Sequence, residues 1–249
     1  MNSGGLCLED VSFSYGTQAV LQSVTLCVPK GEIWALVGRS GTGKTTLLNT
    51  VAGLFTPSSG KITVAGRPLG GAGRIRGVVF QEDSLLGWLS AMDNMLFPLD
   101  HNPPAALRAK AESLLSAVGL EGARRTMPQE LSTGMRKRLE FARALLADQE
   151  YMLADEPFGT VDALTRRDLW ELWIDLRKAE PRTGLLSTHD PEEAVRLCDV
   201  VAVLRSAAPS SIGRLFTVPD AVHQLSVTEH SEELSKIKED ILNALAERS

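Results

Sequence analysis

The chain has 249 residues, enough for one large domain with a full hydrophobic core. Its 26 basic and 31 acidic residues give a net charge of −5, which argues against DNA or RNA as a partner. No run reaches the roughly 18 apolar residues of a membrane span, and the N-terminal residues lack the pattern of a signal peptide. We therefore expect a cytosolic globular protein; if it works at a membrane, another chain supplies the span.

The three cysteines are Cys7, Cys27 and Cys198. They are odd in number, far apart in sequence and without C-x-x-C spacing, so the sequence predicts neither a disulfide framework nor a zinc site. We expect reduced thiols in the core or on the surface.

The first predicted elements are three short strands at residues 6–15, 20–28 and 33–37, each bounded by glycine or proline. The first alternates between apolar and polar residues, as a half-buried strand does. Together these strands predict an antiparallel β subdomain at the start of the fold. Further strands are predicted at residues 61–64 and 77–80.

A glycine-rich segment lies between the strand at 33–37 and a predicted helix at 47–52. Residues 38–46 read Gly-Arg-Ser-Gly-Thr-Gly-Lys-Thr-Thr, which fits the pattern G-x-x-x-x-G-K-[ST]. In that context the backbone N–H groups and the helix N-terminus cradle phosphates, while Lys44 adds charge and the Thr45 hydroxyl holds Mg²⁺. A glycine-rich turn with an accidental lysine is the alternative, and the flanking elements argue against it. The predicted nucleotide contacts are Gly38, Ser40, Gly41, Gly43, Lys44, Thr45 and Thr46.

The character of the sequence changes to helical between residues 89 and 149. Pro103 and Pro104 precede a predicted helix at 105–118, and a second helix is predicted at 132–147. We expect this segment to be a helical subdomain inserted in a single domain that spans residues 1–249.

Strands and helices alternate again after residue 150. Strands are predicted at 151–154, 184–187 and 200–204, and helices at 164–178 and 191–197. Such alternation predicts an α/β fold with a mainly parallel sheet covered on both faces. With the phosphate-binding segment, the fold class is a P-loop NTPase core.

Two carboxylates follow the strand at 151–154. Ligands of α/β sheets bind at the carboxyl ends of the strands, so Asp155 and Glu156 are expected to face the nucleotide. Asp155 would reach Mg²⁺, and Glu156 would orient and polarise the water that attacks the γ-phosphorus. A solvated strand end would give the same two residues, but their pairing with Lys44 favours the functional interpretation.

A third element reads Leu-Ser-Thr-Gly-Met at residues 131–135, directly before a helix rich in arginine. The Ser132 hydroxyl and the N–H groups near Gly134 could bind an anion, although Ser132 could equally be an ordinary helix N-cap. The segment resembles the signature L-S-G-G-x of ATP-binding cassette (ABC) ATPases. That resemblance implies a dimer, of two identical or two related cassettes, in which each signature covers the ATP on the other subunit's phosphate loop.

The resemblance covers roughly residues 6–205 and assigns further roles. It implies that Tyr15 stacks on adenine and that Gln81 contacts Mg²⁺ and the attacking water. It also implies that Asp162 belongs to a loop crossing the dimer interface and that His189 senses the γ-phosphate. Each residue alone would be unremarkable: a core aromatic, two solvated polar side chains and a structural histidine.

Two residues depart from the family pattern. Thr133 replaces the first glycine of the signature, which adds a Cβ and a hydroxyl where backbone must approach phosphate. Lys137 stands where importers commonly carry glutamine. ATP binding and closure of the dimer, followed by hydrolysis and opening, are what the resemblance implies for the mechanism.

A dense apolar patch at Leu85, Leu86, Trp88 and Leu89 is either core of the helical subdomain or a groove for a helix of a membrane partner. This stretch is similar to bacterial importers of the nitrate, sulfonate and taurine group. The similarity implies integral membrane permease subunits, a periplasmic or extracellular substrate-binding protein, and a peripheral location at the cytoplasmic face of the inner membrane. A soluble single-cassette assembly ATPase, or an exporter or lipid-transport ATPase, remains the alternative.

The tail at residues 218–249 lies outside the core resemblance. Leu234, Ile237, Ile241, Leu242 and Leu245 fall at helical spacing and predict an amphipathic helix. We expect this helix to pack on its own domain or on the dimer mate.

Overall fold

Two β-sheets and eight α-helices form the described part of the molecule, a computed structural model that covers residues 5–69, 76–79, 84–97, 104–146, 151–159, 161–205 and 208–247. The strands are β1 (Leu6–Tyr15), β2 (Gln18–Val28), β3 (Ile33–Val37), β4 (Ser59–Val64), β5 (Arg67–Pro68), β6 (Arg76–Val79), β7 (Tyr151–Asp155), β8 (Thr183–Thr188), β9 (Val200–Leu204) and β10 (Ile212–Thr217). The helices are α1 (Lys44–Val51), α2 (Ala91–Leu96), α3 (Ala105–Ala117), α4 (Thr133–Leu146), α5 (Ala163–Ala179), α6 (Pro191–Leu197), α7 (Asp220–His223) and α8 (Glu232–Ala246).

The smaller sheet is antiparallel, in the order β2-β1-β4-β5. Gly16, with φ of 58°, lies in the tight turn between β1 and β2. Leu6 and Leu8 face the core from β1, and Leu26 does so from β2 directly opposite Leu8. The alternation in the sequence therefore matches one buried face, and the predicted antiparallel sheet is confirmed for these strands.

The larger sheet has the order β10-β9-β3-β8-β7-β6. β3 pairs in parallel with both β8 and β9, and β10 closes the edge as the antiparallel strand. The prediction that residues 33–37 join the antiparallel subdomain is therefore wrong. All five residues of β3 are buried, as expected for a strand covered on both faces.

The two faces of β3 separate the two parts of the hydrophobic core. Trp34 and Leu36 pack with the antiparallel sheet and α1. Ile33, Ala35 and Val37 pack on the other side, with residues of α2 to α6 and α8. This layered α/β arrangement confirms the predicted fold class.

The cysteines differ from expectation. Cys7 and Cys27 lie directly opposite one another on β1 and β2, with Cα atoms 4.1 Å apart, and the structure joins their sulfur atoms in a disulfide bond. The prediction of reduced thiols is wrong for this pair, because the β1–β2 hairpin brings together residues that are distant in sequence. Cys198 is a buried free thiol, as predicted, and burial raises its pKa.

The predicted helices are confirmed within a few residues, and α1 begins at Lys44, earlier than predicted. The helix of the tail is present as α8, which packs on α6, β9 and β10 of its own domain. Leu234 and Ile241 are fully buried, but Leu242 is 53% exposed and does not belong to the packing face. None of the helices in the described ranges is long and apolar enough to cross a membrane.

Candidate functional site

A cavity of about 600 Å³ opens at the carboxyl ends of the central strands, between the phosphate-binding segment and the end of the β1–β2 hairpin. Its lining residues are Tyr15, Gln18, Val20, Ser40, Gly41, Gly43, Lys44, Thr45, Thr46, Glu156 and His189. The fold therefore brings together residues from four parts of the sequence: residues 15–20, residues 40–46, Glu156 and His189.

The phosphate-binding segment has the conformation that its glycines allow. Gly41 and Gly43 have φ values of 81° and 83°, a left-handed region that other residues rarely adopt. A Cβ on Gly43 would come within 3.0 Å of side-chain atoms of Val20 and Leu21. The tight curl ends at the N-terminus of α1, which no side chain caps. Its N–H groups are thus available to an anion.

Lys44 is held inside this curl. Its side chain is almost fully buried, and Nζ donates hydrogen bonds to the carbonyl oxygens of Gly38 at 2.9 Å and Arg39 at 3.4 Å. Nζ also lies 3.7 Å from Oε1 of Glu156. The ammonium group is therefore held against the backbone of this segment and beside Glu156.

Glu156 turns sharply away from the end of β7. It has a φ of 44°, unusual for a residue other than glycine, and its N–H donates to the Ser187 carbonyl and hydroxyl oxygens, each at 3.1 Å. Its Oε2 lies 3.2 Å from Nδ1 of His189, whose side chain is mostly exposed. A carboxylate, an imidazole and the Lys44 ammonium thus meet at one edge of the cavity.

Asp155 lies one residue earlier and does not line the cavity. It is buried, and its Oδ1 accepts a hydrogen bond from the Ser187 hydroxyl. Thr45 lines the cavity, and the side chains of both Thr45 and Asp155 carry oxygen atoms of the kind that bind Mg²⁺. No cluster of three or more His, Cys, Asp or Glu that could hold a metal occurs among the described residues. Gln81 lies outside the described residues.

Tyr15 lines the cavity from the end of β1 and is half exposed. Its ring makes edge-to-face contacts with Phe13 and Phe55, at centroid distances of 4.9 Å and 5.8 Å. Its hydroxyl lies 3.5 Å from Oγ1 of Thr46. The ring is therefore fixed in place and is not a core residue.

Ser132, Gly134 and Asp162 do not line the cavity. Ser132 is exposed, and its hydroxyl oxygen accepts a hydrogen bond from the N–H of Met135 at 3.2 Å, so it does serve as an N-cap. A Cβ on Gly134 would meet nothing within 4 Å. Asp162 is the exposed N-cap of α5. The hydrogen bond that its carboxylate accepts from the Thr165 hydroxyl lowers its pKa most, and the one from the Thr165 N–H lowers it further.

The central residue of the apolar patch, Trp88, lies on the protein surface. Trp88 is 72% exposed, while Leu85 packs against the core. Of the two interpretations of this patch, core of the subdomain is wrong for Trp88.

Sequence reasoning missed three residues of the site. Gln18 and Val20 line the cavity because the β1–β2 hairpin folds over the phosphate-binding segment. Ser187 anchors both Asp155 and Glu156, and it lies opposite Asp155 in the register of β7 and β8. Its position two residues before His189 is the signal that the sequence offers.

Comparisons with known proteins agree with this geometry. A profile of the family described as ABC transporter matches residues 21–159. The chain is 39% identical over 244 residues to a taurine import ATP-binding protein of Burkholderia pseudomallei, covering 94% of this chain and 91% of the relative. It is 41% identical over 200 residues to an aliphatic sulfonates import ATP-binding protein of Bacillus licheniformis, covering 80% of this chain and 78% of the relative. With a bicarbonate transport ATP-binding protein of a Synechocystis species, it is 37% identical over 222 residues, or 86% of this chain and 79% of the relative.

Solved structures point the same way. A dimeric ATP-binding cassette in a post-hydrolysis state, bound to ADP and Pi, superposes with a TM-score of 0.75 at 25% identity, covering 86% of this chain and 99% of that one. The phosphate-binding curl, the Glu156 turn and the signature segment occur in one chain that matches this family over more than half its length. The chain therefore belongs to the ABC transporter family.

Proposed function

We propose that the chain is the ATP-hydrolysing subunit of a bacterial importer for a small anion or organic compound of the nitrate, sulfonate or taurine type. The observation that carries the proposal is the cavity in which Lys44, Glu156 and His189 meet beside the phosphate-binding curl. The relatives are named as ATP-binding proteins for import of taurine, import of aliphatic sulfonates and transport of bicarbonate, which supports this class of transported compound.

The nucleotide would lie along the cavity with adenine against the Tyr15 ring and the phosphates in the curl. Backbone N–H groups between Ser40 and Thr46, and the N-terminus of α1, would bind the phosphate oxygens. Gly38 would act indirectly, because its carbonyl oxygen holds the Lys44 ammonium in place. Mg²⁺ bound with the phosphates would neutralise part of their charge, with Thr45, Asp155 and Gln81 as its proposed ligands.

Hydrolysis would depend on positioning. Glu156 would accept a hydrogen bond from the attacking water, and Lys44 would stabilise charge on the β- and γ-phosphates. His189, hydrogen-bonded to Glu156, would contact the γ-phosphate, and Gln81 would contact the water. In the structure Lys44 and His189 both approach Glu156, so arrival of the γ-phosphate would exchange these contacts for contacts with substrate.

A second copy would complete each site. Ser132 and Asp162 are exposed and Gly134 is partly exposed, all outside the cavity of their own chain, which supports their contribution to the site of a dimer mate. The solved cassettes that this chain resembles are dimeric, which supports a dimer here. Catalysis would then require the closed dimer, and phosphate release would favour its opening.

The coupled machinery would include integral membrane permease subunits and, indirectly, a periplasmic or extracellular substrate-binding protein. The exposed Trp88 and its apolar neighbours are the proposed contact with the permease. The subunit would then work at the cytoplasmic face of the inner membrane. The signature would belong to the helical subdomain at residues 89–149, and Trp88 would lie directly before that subdomain.

The proposal is tested by separating binding from hydrolysis. Lys44→Ala should abolish tight ATP binding, because Lys44 contacts phosphate in the ground state. Glu156→Gln should keep ATP bound but stop hydrolysis and trap a dimer, because Glu156 acts on water in the transition state. ATP affinity, steady-state turnover and sedimentation of each variant would be measured. Turnover near the wild-type rate in Glu156→Gln would refute this assignment.

A further inference from the structure

Helix α4 carries a buried ion pair at one of the two departures from the family pattern. Nζ of Lys137 lies 2.8 Å from Oε2 of Glu140, and the two residues are only 8% and 2% exposed. Buried charges in such a pair persist only when hydrogen bonds satisfy their remaining polar atoms. The other oxygen of Glu140 shows where those bonds go.

The other carboxylate oxygen of Glu140 accepts hydrogen bonds from Ser84. Ser84 is the first residue of the loop at residues 84–90, which carries Trp88 and is called the docking loop below. Oε1 of Glu140 accepts hydrogen bonds from the Ser84 N–H and, at 2.9 Å, from the Ser84 hydroxyl. Arg143, one turn further along α4, donates to the Ser84 carbonyl oxygen at 3.0 Å and to its hydroxyl oxygen. Two charged side chains of α4 therefore hold every polar group of Ser84.

The other end of the docking loop is held by α2. Asn94 is fully buried, and its side-chain oxygen accepts from the N–H of Leu86 at 2.8 Å. Its Nδ2 donates to the carbonyl oxygens of Leu86, Leu89 and Ser90, at 2.9 to 3.1 Å. The loop that exposes Trp88 is thus fixed at both ends, to α4 by charged groups and to α2 by a neutral amide.

We propose that Glu140 is a positioning residue that couples the signature serine to the docking loop. α4 begins next to Ser132 and carries the Glu140 and Arg143 clamp on Ser84, so a rigid displacement of α4 at its first turn reaches Trp88 without an intervening flexible segment. Hydrogen bonds to charged groups are stronger than neutral ones, especially when buried. Lys137 orients Glu140 by occupying Oε2, which leaves Oε1 for Ser84. This inference rests on the proposed composite ATP site.

The test uses hydrogen exchange of the docking loop in the Glu156→Gln background, with and without ATP. Closure of the dimer immobilises Ser132, and the contacts of Glu140 and Arg143 with Ser84 should transmit this loss of motion to the docking loop. ATP should therefore slow hydrogen exchange of the amides of residues 84–90 at least threefold. Ser84→Ala removes the hydroxyl contacts to Glu140 and Arg143 and should lose at least half of this slowing. Ser84→Thr, which keeps a hydroxyl, should restore it.

Ser90→Ala is the matched control, because Ser90 lies in the same loop but its hydroxyl is bonded to Asp93 of α2 and not to α4. It should keep the full ATP-dependent slowing. ATP affinity and dimer formation, measured in parallel, should match the parent for Ser84→Ala, and the melting temperature of the variant shows that it remains folded. The inference is overturned if Ser84→Ala keeps the slowing, or if the parent dimerises with ATP and its loop shows none. A parent that neither binds ATP nor dimerises would refute the proposed function itself.

Discussion

A carboxyl group is buried beneath the loop that carries His189. Glu193, on α6, is 3% exposed, and burial raises its pKa from 4.5 to about 7, with a further increase from Asp190. A hydrogen bond from Thr188 and the charge of Arg166 oppose this increase. Between about pH 4.5 and pH 7 the folded protein therefore holds a proton that the unfolded chain releases. Stability should fall as the pH rises through this interval.

Glu193→Gln should remove that pH dependence. The amide stays neutral, so the variant should be more stable than wild type at pH 8, by about 3 kcal/mol if each pKa unit contributes roughly 1.4 kcal/mol. At pH 5 the two proteins should differ little. Urea unfolding at both pH values measures this, and an equal difference at pH 5 and pH 8 would contradict the explanation.

Glu192, the residue before Glu193, is a control in which the pKa is shifted in the opposite direction. Burial opposes ionisation there too, but hydrogen bonds from Lys238 and Arg196 outweigh it and lower the pKa. Its contribution is present above the unfolded pKa and is lost as the pH falls through the folded value. Glu192→Gln should therefore destabilise the protein at pH 8 and less so in acid.

Trp88 allows the permease contact to be tested on one residue. Because the ring is largely exposed, Trp88→Ala should change the free energy of unfolding by no more than about 0.5 kcal/mol. If Trp88 anchors a helix of the membrane partner, the variant should lose roughly 2 kcal/mol of association. Melting temperature, ATP affinity and co-purification with the membrane subunit would be measured together. Unchanged co-purification would contradict the docking role. Trp173→Ala is the control for a buried tryptophan and should lower the free energy of unfolding by about 3 to 5 kcal/mol.

At the scale of elements, local sequence patterns predicted those parts of the structure that depend on residues close together in the chain. The phosphate-binding curl follows from glycines at fixed offsets, and α3, α4 and α5 follow from helical periodicity. The contacts of Glu156 with Lys44 and His189 could not be predicted, because they depend on which strands are neighbours. β3 shows the same limit. Five consecutive apolar residues indicate burial on both faces, but they do not identify the sheet.

Other elements had weak signals. β10 faces partly outward along its whole length and shows no alternation, and α2 has only six residues, less than two turns. In α8 the periodicity placed Leu242 beside the buried stripe, but a single residue of rotation decides whether it is covered. The tertiary contacts with α6, β9 and β10 leave it outside.

Two leucines of α8 form a matched pair for measuring what this packing contributes. Leu234→Ala should destabilise the fold by about 2 to 5 kcal/mol, because the side chain is fully buried and leaves a cavity. Leu242→Ala, in the same helix, should change stability by less than about 0.5 kcal/mol. Chemical denaturation of both variants checks this. A similar loss in both would mean that a further surface, such as a dimer mate, covers Leu242.

For the whole molecule, the separation of the signature from the cavity predicts a site shared between subunits. Mixing an excess of Lys44→Ala subunits with Ser132→Arg subunits can rebuild at most one intact site per heterodimer. Hydrolysis should therefore partly recover above either variant alone, as a steady-state phosphate assay would measure. Wild-type protein kept dilute enough to stay monomeric is the control, and full activity in that monomer would exclude a shared site.

The order of strands in the larger sheet has a consequence for how the protein is made. β3, which leads into the phosphate-binding curl, pairs with β8 and β9, whose residues lie roughly 150 positions further along the chain. During synthesis the β1–β2 hairpin can form early, but the curl leaves the ribosome long before its sheet neighbours exist. Glu156 and His189 also emerge long after the curl, Glu156 before β8 and His189 between β8 and β9. Nucleotide binding is therefore acquired only by a nearly finished chain, and a prematurely terminated one has no ATPase activity to misdirect.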